Sequence, residues 1–176
     1  MLILVTGATG LVGNNVVRQL VDRGDRVRVL QRAESPQEPL AGLPVEVAAG
    51  DVRDAPSVER AAAGVEAVVH AAGYVHVGWT NLNLHRGINV EGTRNVARAA
   101  RLAGARMVHV SSVDALGLRS REQPADEETP PDRSCTIPYP MTKREAEETL
   151  LAEVAQGLHG VIVNPVFMLG PWDWKP

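Results

Sequence analysis

Toward the end of this 176-residue chain, Tyr139-Pro140-Met141-Thr142-Lys143 sets a phenol and an ammonium four residues apart. On a helix that spacing puts both on one face. A cation beside a phenol stabilises phenolate and draws a tyrosine pKa from about 10 toward neutrality. The pair therefore predicts Tyr139 as a general acid/base. Ser111-Ser112 follows an apolar run, where a hydroxyl can hold a substrate oxygen. Thr6-Gly7-Ala8-Thr9-Gly10-Leu11-Val12-Gly13 carries glycine at a period of three. Glycine permits a tight turn, close backbone approach to a pyrophosphate and close helix–strand packing. A helix that opens there adds free N–H groups and the positive end of its dipole. Dinucleotide sites often place an acid about 20 residues further on. Here the corresponding run ends Val29-Leu30-Gln31-Arg32, without an acid. The guanidinium fork of Arg32 suits a 2′-phosphate instead. The expectation is NADP(H) in preference to NAD(H), with NAD(H) still possible.

Alternating elements must position these motifs. Leu2–Val5 reads as a strand buried on both faces. From Leu11 to Val21, Leu11, Val12, Val16, Val17, Leu20 and Val21 share one side of a helix that Gly24 can end. Further strands are expected at 27–30, 45–47, 67–69, 107–110 and 161–163. Helices are expected at 57–63, 88–102 and 139–155. The polar, Pro-rich stretch 117–138 reads as a loop. Strand–helix alternation with short connections predicts an α/β doubly wound parallel sheet, a Rossmann fold in three αβα layers, as one unit over 1–176.

Composition bounds the function classes. A net charge of −3 gives no electrostatic footprint for nucleic acid or an anionic membrane. No apolar run reaches the roughly 18 residues of a membrane helix. Met1–Val5 lacks a basic n-region and runs straight into the glycine motif, so no signal peptide is expected. One cysteine, Cys135, precludes an intrachain disulfide framework and a Cys-rich metal site. A cytoplasmic setting, no metal site and a small-molecule substrate follow as expectations. The acidic 122–132 segment reads as a solvated loop, and His70 as a strand-end packing residue. Tyr74, His76 and Trp79 either face a substrate or close a loop over the site; both readings stay open.

With these motifs in hand, the chain resembles the short-chain dehydrogenase/reductase superfamily. The likeness is to its extended branch of NAD(P)-dependent epimerases, dehydratases and reductases. It rests on Thr6–Gly13, Gly50-Asp51-Val52, His70–Gly73, Asn89–Thr93, Ser111-Ser112, Tyr139–Lys143, Asn164-Pro165 and Gly170-Pro171. Asn164-Pro165 and the Gly-Pro-Trp-Asp-Trp-Lys-Pro ending look most like the dihydroflavonol-reductase-like and hopanoid-associated sugar-epimerase groups. The resemblance implies that Gly7, Gly10 and Gly13 line a pyrophosphate, with Leu11 and Val12 donating backbone N–H groups. Asp51 would accept from the adenine amino group and Val52 pack on that ring. Ala71, Ala72 and Gly73 would follow the ribose, and Pro165 would border the nicotinamide. Ser112, Tyr139 and Lys143 would be the catalytic residues, with Lys143 also on the nicotinamide ribose. Asn89 would bond backbone at a helix irregularity. Asp114, just past the serine pair, is less expected.

The resemblance further implies a homodimer through the helices at 88–102 and 139–155, and a C-terminal substrate lobe beyond Pro176. The activity expected is hydride transfer at a carbinol or carbonyl carbon, with Tyr139 exchanging the proton. Two alternatives stand beside it. One is a nucleotide-sugar epimerase or dehydratase with transient oxidation. The other is a non-catalytic NADP(H)-binding redox sensor.

Overall fold

The computed structural model describes residues 1–76, 78–117, 119–131 and 133–173; Asp132 and the closing 174–176 fall outside the described residues. Strands β1 (Leu2–Thr6), β2 (Arg26–Gln31), β3 (Val45–Ala49), β4 (Ala67–His70), β5 (Arg106–Val110) and β6 (Gly160–Val163) form one sheet. Its order is β3-β2-β1-β4-β5-β6, and every neighbouring pair is parallel. The helices are α1 (Leu11–Asp22), α2 (Ala55–Ala62), α3 (Leu82–His85), α4 (Gly92–Leu102) and α5 (Pro138–Val154). The doubly wound, three-layer architecture expected from the sequence is the one observed.

Alternation along each strand explains the layers. Ile3, Val5, Val27 and Val29 point to one face and pack with Val17 of α1 and Leu40. Leu4, Leu30, Val68 and Met107 point to the other and pack with Val58 of α2, Val96, Ala97 and Ala100 of α4, and Leu150 of α5. The small side chains of α4 let it sit close on the sheet. Burying an aliphatic side chain of this kind contributes about 1.5–3 kcal/mol, so both faces of the central strands hold the sheet in place.

Strand limits differ from the sequence reading by a residue or two. The helix expected to begin at Ile88 begins instead at Leu82. Arg86–Glu91 forms a π-helix that joins α3 to α4 in one helical run. Asn81, Asn83 and Gly87 weaken the local helical signal. Packing of α3 on α5, with His85 buried, supplies what the local sequence lacks. The strand order reverses between β1 and β4. In an open parallel sheet, the crevice at the carboxyl ends of such a pair is where ligands bind.

Candidate active site

The loop from β1 to α1 opens on that crevice. Gly7 has φ +71°, and a Cβ there would lie 2.5 Å from the Ala72 nitrogen, so the turn and the close approach of β4 both demand glycine. At Gly13 a Cβ would sit 2.2 Å from the Gly7 carbonyl oxygen. Gly13 therefore packs closely against the turn of the loop. Gly10 is different. Its Cβ would meet only the Gly7 oxygen, at 3.4 Å, and its backbone is extended. The fold does not require glycine at Gly10. No side chain caps the N-terminus of α1 behind it, and no acidic residue occupies its first turn. The first amides of a helix have no intrahelical partner, which leaves those of Leu11 and Val12 without a helical hydrogen bond. Gly7 and Gly10 line it, together with Arg32, Asp51, Val52 and 71–74. This is a cradle for an extended anionic ligand such as a dinucleotide.

Electrostatics along the cleft are set by two arginines. Arg53 grips the Asp51 carboxylate with Nη2–Oδ2 at 2.6 Å and holds its pKa below the ordinary value. Arg32 pairs with Glu34 at 3.3 Å. Both side chains of that pair are largely exposed, where such a contact contributes about 0–1 kcal/mol. The Arg32 fork is therefore readily redirected to a ligand.

Under the cleft runs a polar seam that the sequence reading did not foresee. The Ala72 N–H donates to Thr6 Oγ1 (3.3 Å), which lies 2.6 Å from His70 Nδ1. His70 Nε2 lies 3.1 Å from Thr93 Oγ1, and Thr93 donates to the Asn89 carbonyl at 2.6 Å. Thr93 has one hydroxyl hydrogen, already given to Asn89. Nε2 must therefore carry the proton, and Thr6 donates to Nδ1. Burial, and secondarily the charge of Lys143, push the His70 pKa down to about 3, which keeps the ring neutral. His70 is a packing residue, as expected, with both nitrogens used. Asn89, in the π-helix, accepts from the Tyr74 N–H (2.7 Å) and donates to the Tyr74 carbonyl and to Thr142 Oγ1, both at 3.1 Å.

The three expected catalytic residues lie beyond the cleft's Tyr74 end. Ser112 ends the extended segment after β5, and Asn164 donates to its carbonyl at 3.0 Å. The Val113 amide donates to the Pro165 carbonyl at 3.1 Å, so Pro165 flanks the Ser112 turn. Tyr139 opens α5, near enough to Ser112 for that hydroxyl to act on its phenol. Lys143, one turn on, is buried and donates to the Val110 carbonyl at 2.8 Å. Tyr74 and His85 bridge the two groups of residues. Their rings meet edge-on at 4.7 Å, and His85 lies 6.3 Å from the Tyr139 ring.

One expectation is corrected here. Tyr139 is not drawn toward neutrality. Burial pushes its pKa above 10, the Ser112 hydroxyl pulls it down, and the Asp114 carboxylate pushes it up. One N–H of the Lys143 ammonium goes to the Val110 carbonyl, and burial lowers its own pKa to about 8. Spacing places the two side chains on one face of α5. It does not show the depth of the phenol or the carbonyl that claims the ammonium.

Comparison with known proteins places this geometry. The profile of the NAD dependent epimerase/dehydratase family matches residues 3–176. The chain belongs to that family. Among its relatives, sterol demethylase protein B of Methylococcus capsulatus is 40% identical over 100% of this chain and 54% of its own. A putative dihydroflavonol 4-reductase of Synechocystis is 38% identical over 98% of this chain and 50% of its own. The chain thus spans about half the length of these family members. A solved short-chain dehydrogenase/reductase superfamily protein from Agrobacterium tumefaciens, with bound NAD, superposes with a TM-score of 0.78 at 31% identity. That match covers 93% of this chain and 48% of the other. No described helix is long and apolar enough to cross a membrane.

Proposed function

We propose that the protein is an NAD(P)-dependent oxidoreductase that interconverts a secondary alcohol and a ketone on a small-molecule substrate. The observation that carries this reading is the convergence of Ser112 and Tyr139, near enough for the Ser112 hydroxyl to pull the phenol pKa down, with the buried Lys143 one turn along α5. They lie at the end of a glycine-lined cleft. The residues present fit the cofactor. Gly7, Gly10 and the amides of Leu11 and Val12 receive the pyrophosphate, while Asp51 and Val52 take the adenine. Ala71, Ala72 and Gly73 follow the ribose, and Pro165 borders the nicotinamide. Arg32 meets a 2′-phosphate, which favours NADP(H) over NAD(H). A bound nicotinamide supplies or takes up the hydride.

The chain's own part is proton handling and orientation. With its pKa above 10 in this setting, the Tyr139 phenol carries its proton at neutral pH, which suits it to give that proton to a substrate oxygen. Ser112 holds the same oxygen, and Lys143 adds positive charge where negative charge develops.

The same reading takes the protein as a cytoplasmic homodimer. Its support is the free Cys135 and a mixed-charge groove between α4 and α5 lined by Arg94, Glu145 and Glu148, whose exposed ion pairs with Glu91, Arg86 and Arg133 are weak enough to be exchanged at an interface.

The test is Tyr139→Phe in the protein, assayed with reduced and oxidised cofactor against a panel of ketones and secondary alcohols. Expected is loss of turnover by about a thousandfold or more with cofactor affinity little changed. Retained turnover rejects the assignment. Net consumption of cofactor by the unsubstituted protein marks a dehydrogenase or reductase; turnover without it marks an epimerase or dehydratase.

A further inference from the structure

After β6 the chain crosses from one half of the site to the other. At the near end, the Val113 amide donates to the Pro165 carbonyl at 3.1 Å, and Asn164 donates to the Ser112 carbonyl at 3.0 Å. At the far end, Gly170 lies against Leu11, and Asn15 donates to the Pro171 carbonyl at 2.8 Å. The Arg18 guanidinium stacks 3.5 Å from the centre of the Trp172 ring. The segment is thus a strap, fastened at the Ser112 turn and at the first turns of α1. Between the fastenings stand Val166, Phe167, Met168 and Leu169, with Phe167 88% and Leu169 83% exposed. Val113, next to Ser112, is exposed as well. Apolar surface held in water by an anchored segment is unfavourable, and a contiguous exposed run of it marks a binding surface.

We propose that this strap is the specificity wall of the site, and that Phe167 and Leu169 take the body of a substrate that is a long apolar alcohol or ketone without a phosphate. The inference rests on the proposed alcohol–ketone interconversion at Ser112 and Tyr139, and it names the substrate class for that reaction. Position supports the wall. A substrate oxygen beside Ser112 puts the rest of the molecule next to residues bonded directly to that turn. Charge supports an apolar occupant. Neither 111–117 nor 164–171 carries a basic residue, and the Asp114 carboxylate lies 3.2 Å from the Ser112 hydroxyl oxygen. A nucleoside diphosphate sugar would find no cation on this wall and a carboxylate at its inner end. Stacking, hydrogen bonds and the Leu11 contact hold the strap without using Phe167 or Leu169, so both are left for a ligand.

The test is equilibrium binding of 2-alkanones, from 2-butanone to 2-decanone, to the protein with oxidised cofactor, where no hydride can pass. Isothermal titration calorimetry reads the Kd. Expected is a tightening of about two- to fourfold for each added methylene. In the double variant Phe167→Ser/Leu169→Ser that gain falls to about half or less, while 2-butanone binds as before. Both side chains stand almost wholly in water, so the variant should keep the circular dichroism and Tm of the unsubstituted protein. UDP-glucose, the anionic probe, should fail to displace 2-decanone. An affinity that ignores chain length overturns the proposal, and so does an unchanged chain-length dependence in the double variant. Displacement by UDP-glucose overturns it too. So does a dimer that the double variant dissociates with ketone affinity unchanged, because a second copy would then be the occupant. The titration needs no turnover. Its failure is thus distinct from retained activity in Tyr139→Phe, which would overturn the functional reading instead.

Discussion

Two glycines three residues apart in one motif should respond to the same substitution in opposite ways. Gly13→Ala places a methyl 2.2 Å from the Gly7 oxygen and 2.6 Å from the Gly7 carbonyl carbon. Neither is the end of a flexible side chain, so the β1–α1 turn itself must move. Overpacking against a rigid neighbour costs about 1–3 kcal/mol and sometimes more. In a domain of this size, each kcal/mol lowers the Tm by about 2–4 °C. Gly13→Ala is thus expected to melt roughly 6–12 °C lower, taking the cost at about 3 kcal/mol. Gly10→Ala meets one atom, at 3.4 Å, on an extended backbone that alanine adopts freely. Reduced unfolded-state entropy favours alanine by about 0.4–1 kcal/mol. Loss of a glycine at the helix N-cap costs a comparable amount. The Tm should therefore stay within about 3 °C.

Binding should reverse that order. A methyl on Gly10 stands in the cleft lining, at the place proposed for the pyrophosphate. Loss of one charge-assisted hydrogen bond, about 1.5–3 kcal/mol, weakens Kd by roughly 10- to 100-fold. Differential scanning calorimetry supplies the Tm, and titration of cofactor fluorescence supplies the Kd. Undiminished NAD(P)H affinity in Gly10→Ala, or an unchanged Tm in Gly13→Ala, would refute the division of labour argued from the geometry.

Further outcomes concern charge. Arg32→Ala should weaken NADPH binding by about 10-fold or more and leave NADH within a factor of about two; equal effects on both would remove the basis for preferring NADP(H). Acid stability should be set by the buried histidines. Burial depresses the His70 pKa to about 3 and the His109 pKa to about 2, from an ordinary 6.5. His85 shifts the same way. Below pH 6.5 the unfolded chain binds protons that the folded state refuses, so stability is full above that pH and falls as pH drops toward the folded values. At about pH 5 each of His70 and His109 removes about 2 kcal/mol. Neither ring nitrogen of His109 has a hydrogen-bond partner among the described residues, so His109→Leu should flatten the denaturation free energy between about pH 7 and pH 5 by that amount. An unchanged slope in urea melts would count against it.

Most of the fold was legible because it depends on repetition. Apolar runs at 2–5 and 67–69 suit strands buried inside a parallel sheet, and the glycine motif marks the first crossover. The helical run over 82–91 was not legible. Its asparagines and Gly87 speak against helix locally, and it forms because the His85 ring packs against Tyr74 and Tyr139 while Asn89 bonds to Tyr74 and Thr142. Periodicity carries no trace of a π-turn, which adds a residue without changing the surrounding pattern. Only the family likeness pointed to Asn89. The site divides the same way. Residue types and spacing picked out Ser112, Tyr139 and Lys143, which the fold brings to one end of the cleft. Protonation depends on depth and on competing acceptors, and neither the Val110 carbonyl nor the burial of the phenol can be read from a spacing of four.

The π-turn has a consequence for how the two parts of the site are held. One extra residue in the turn rotates Asn89 inward from the helix surface, where its amide reaches Tyr74 and Thr142 at once. Tyr74 is the last residue of the cleft wall. Thr142 lies between Tyr139 and Lys143 and bonds back to the Pro138 carbonyl at 2.7 Å, at the start of α5. From the other side, the seam through Thr93, His70 and Thr6 ends on the Ala72 amide, also in the wall. The hydrogens of this seam are all given to acceptors, so turning a member leaves a buried polar group unpaired, at about 1–3 kcal/mol each. The neutral His70 is necessary to that order. A proton on Nδ1 would confront the hydroxyl hydrogen of Thr6. The distance between the cradle and Tyr139 is thus fixed beneath the cleft by the polar interior.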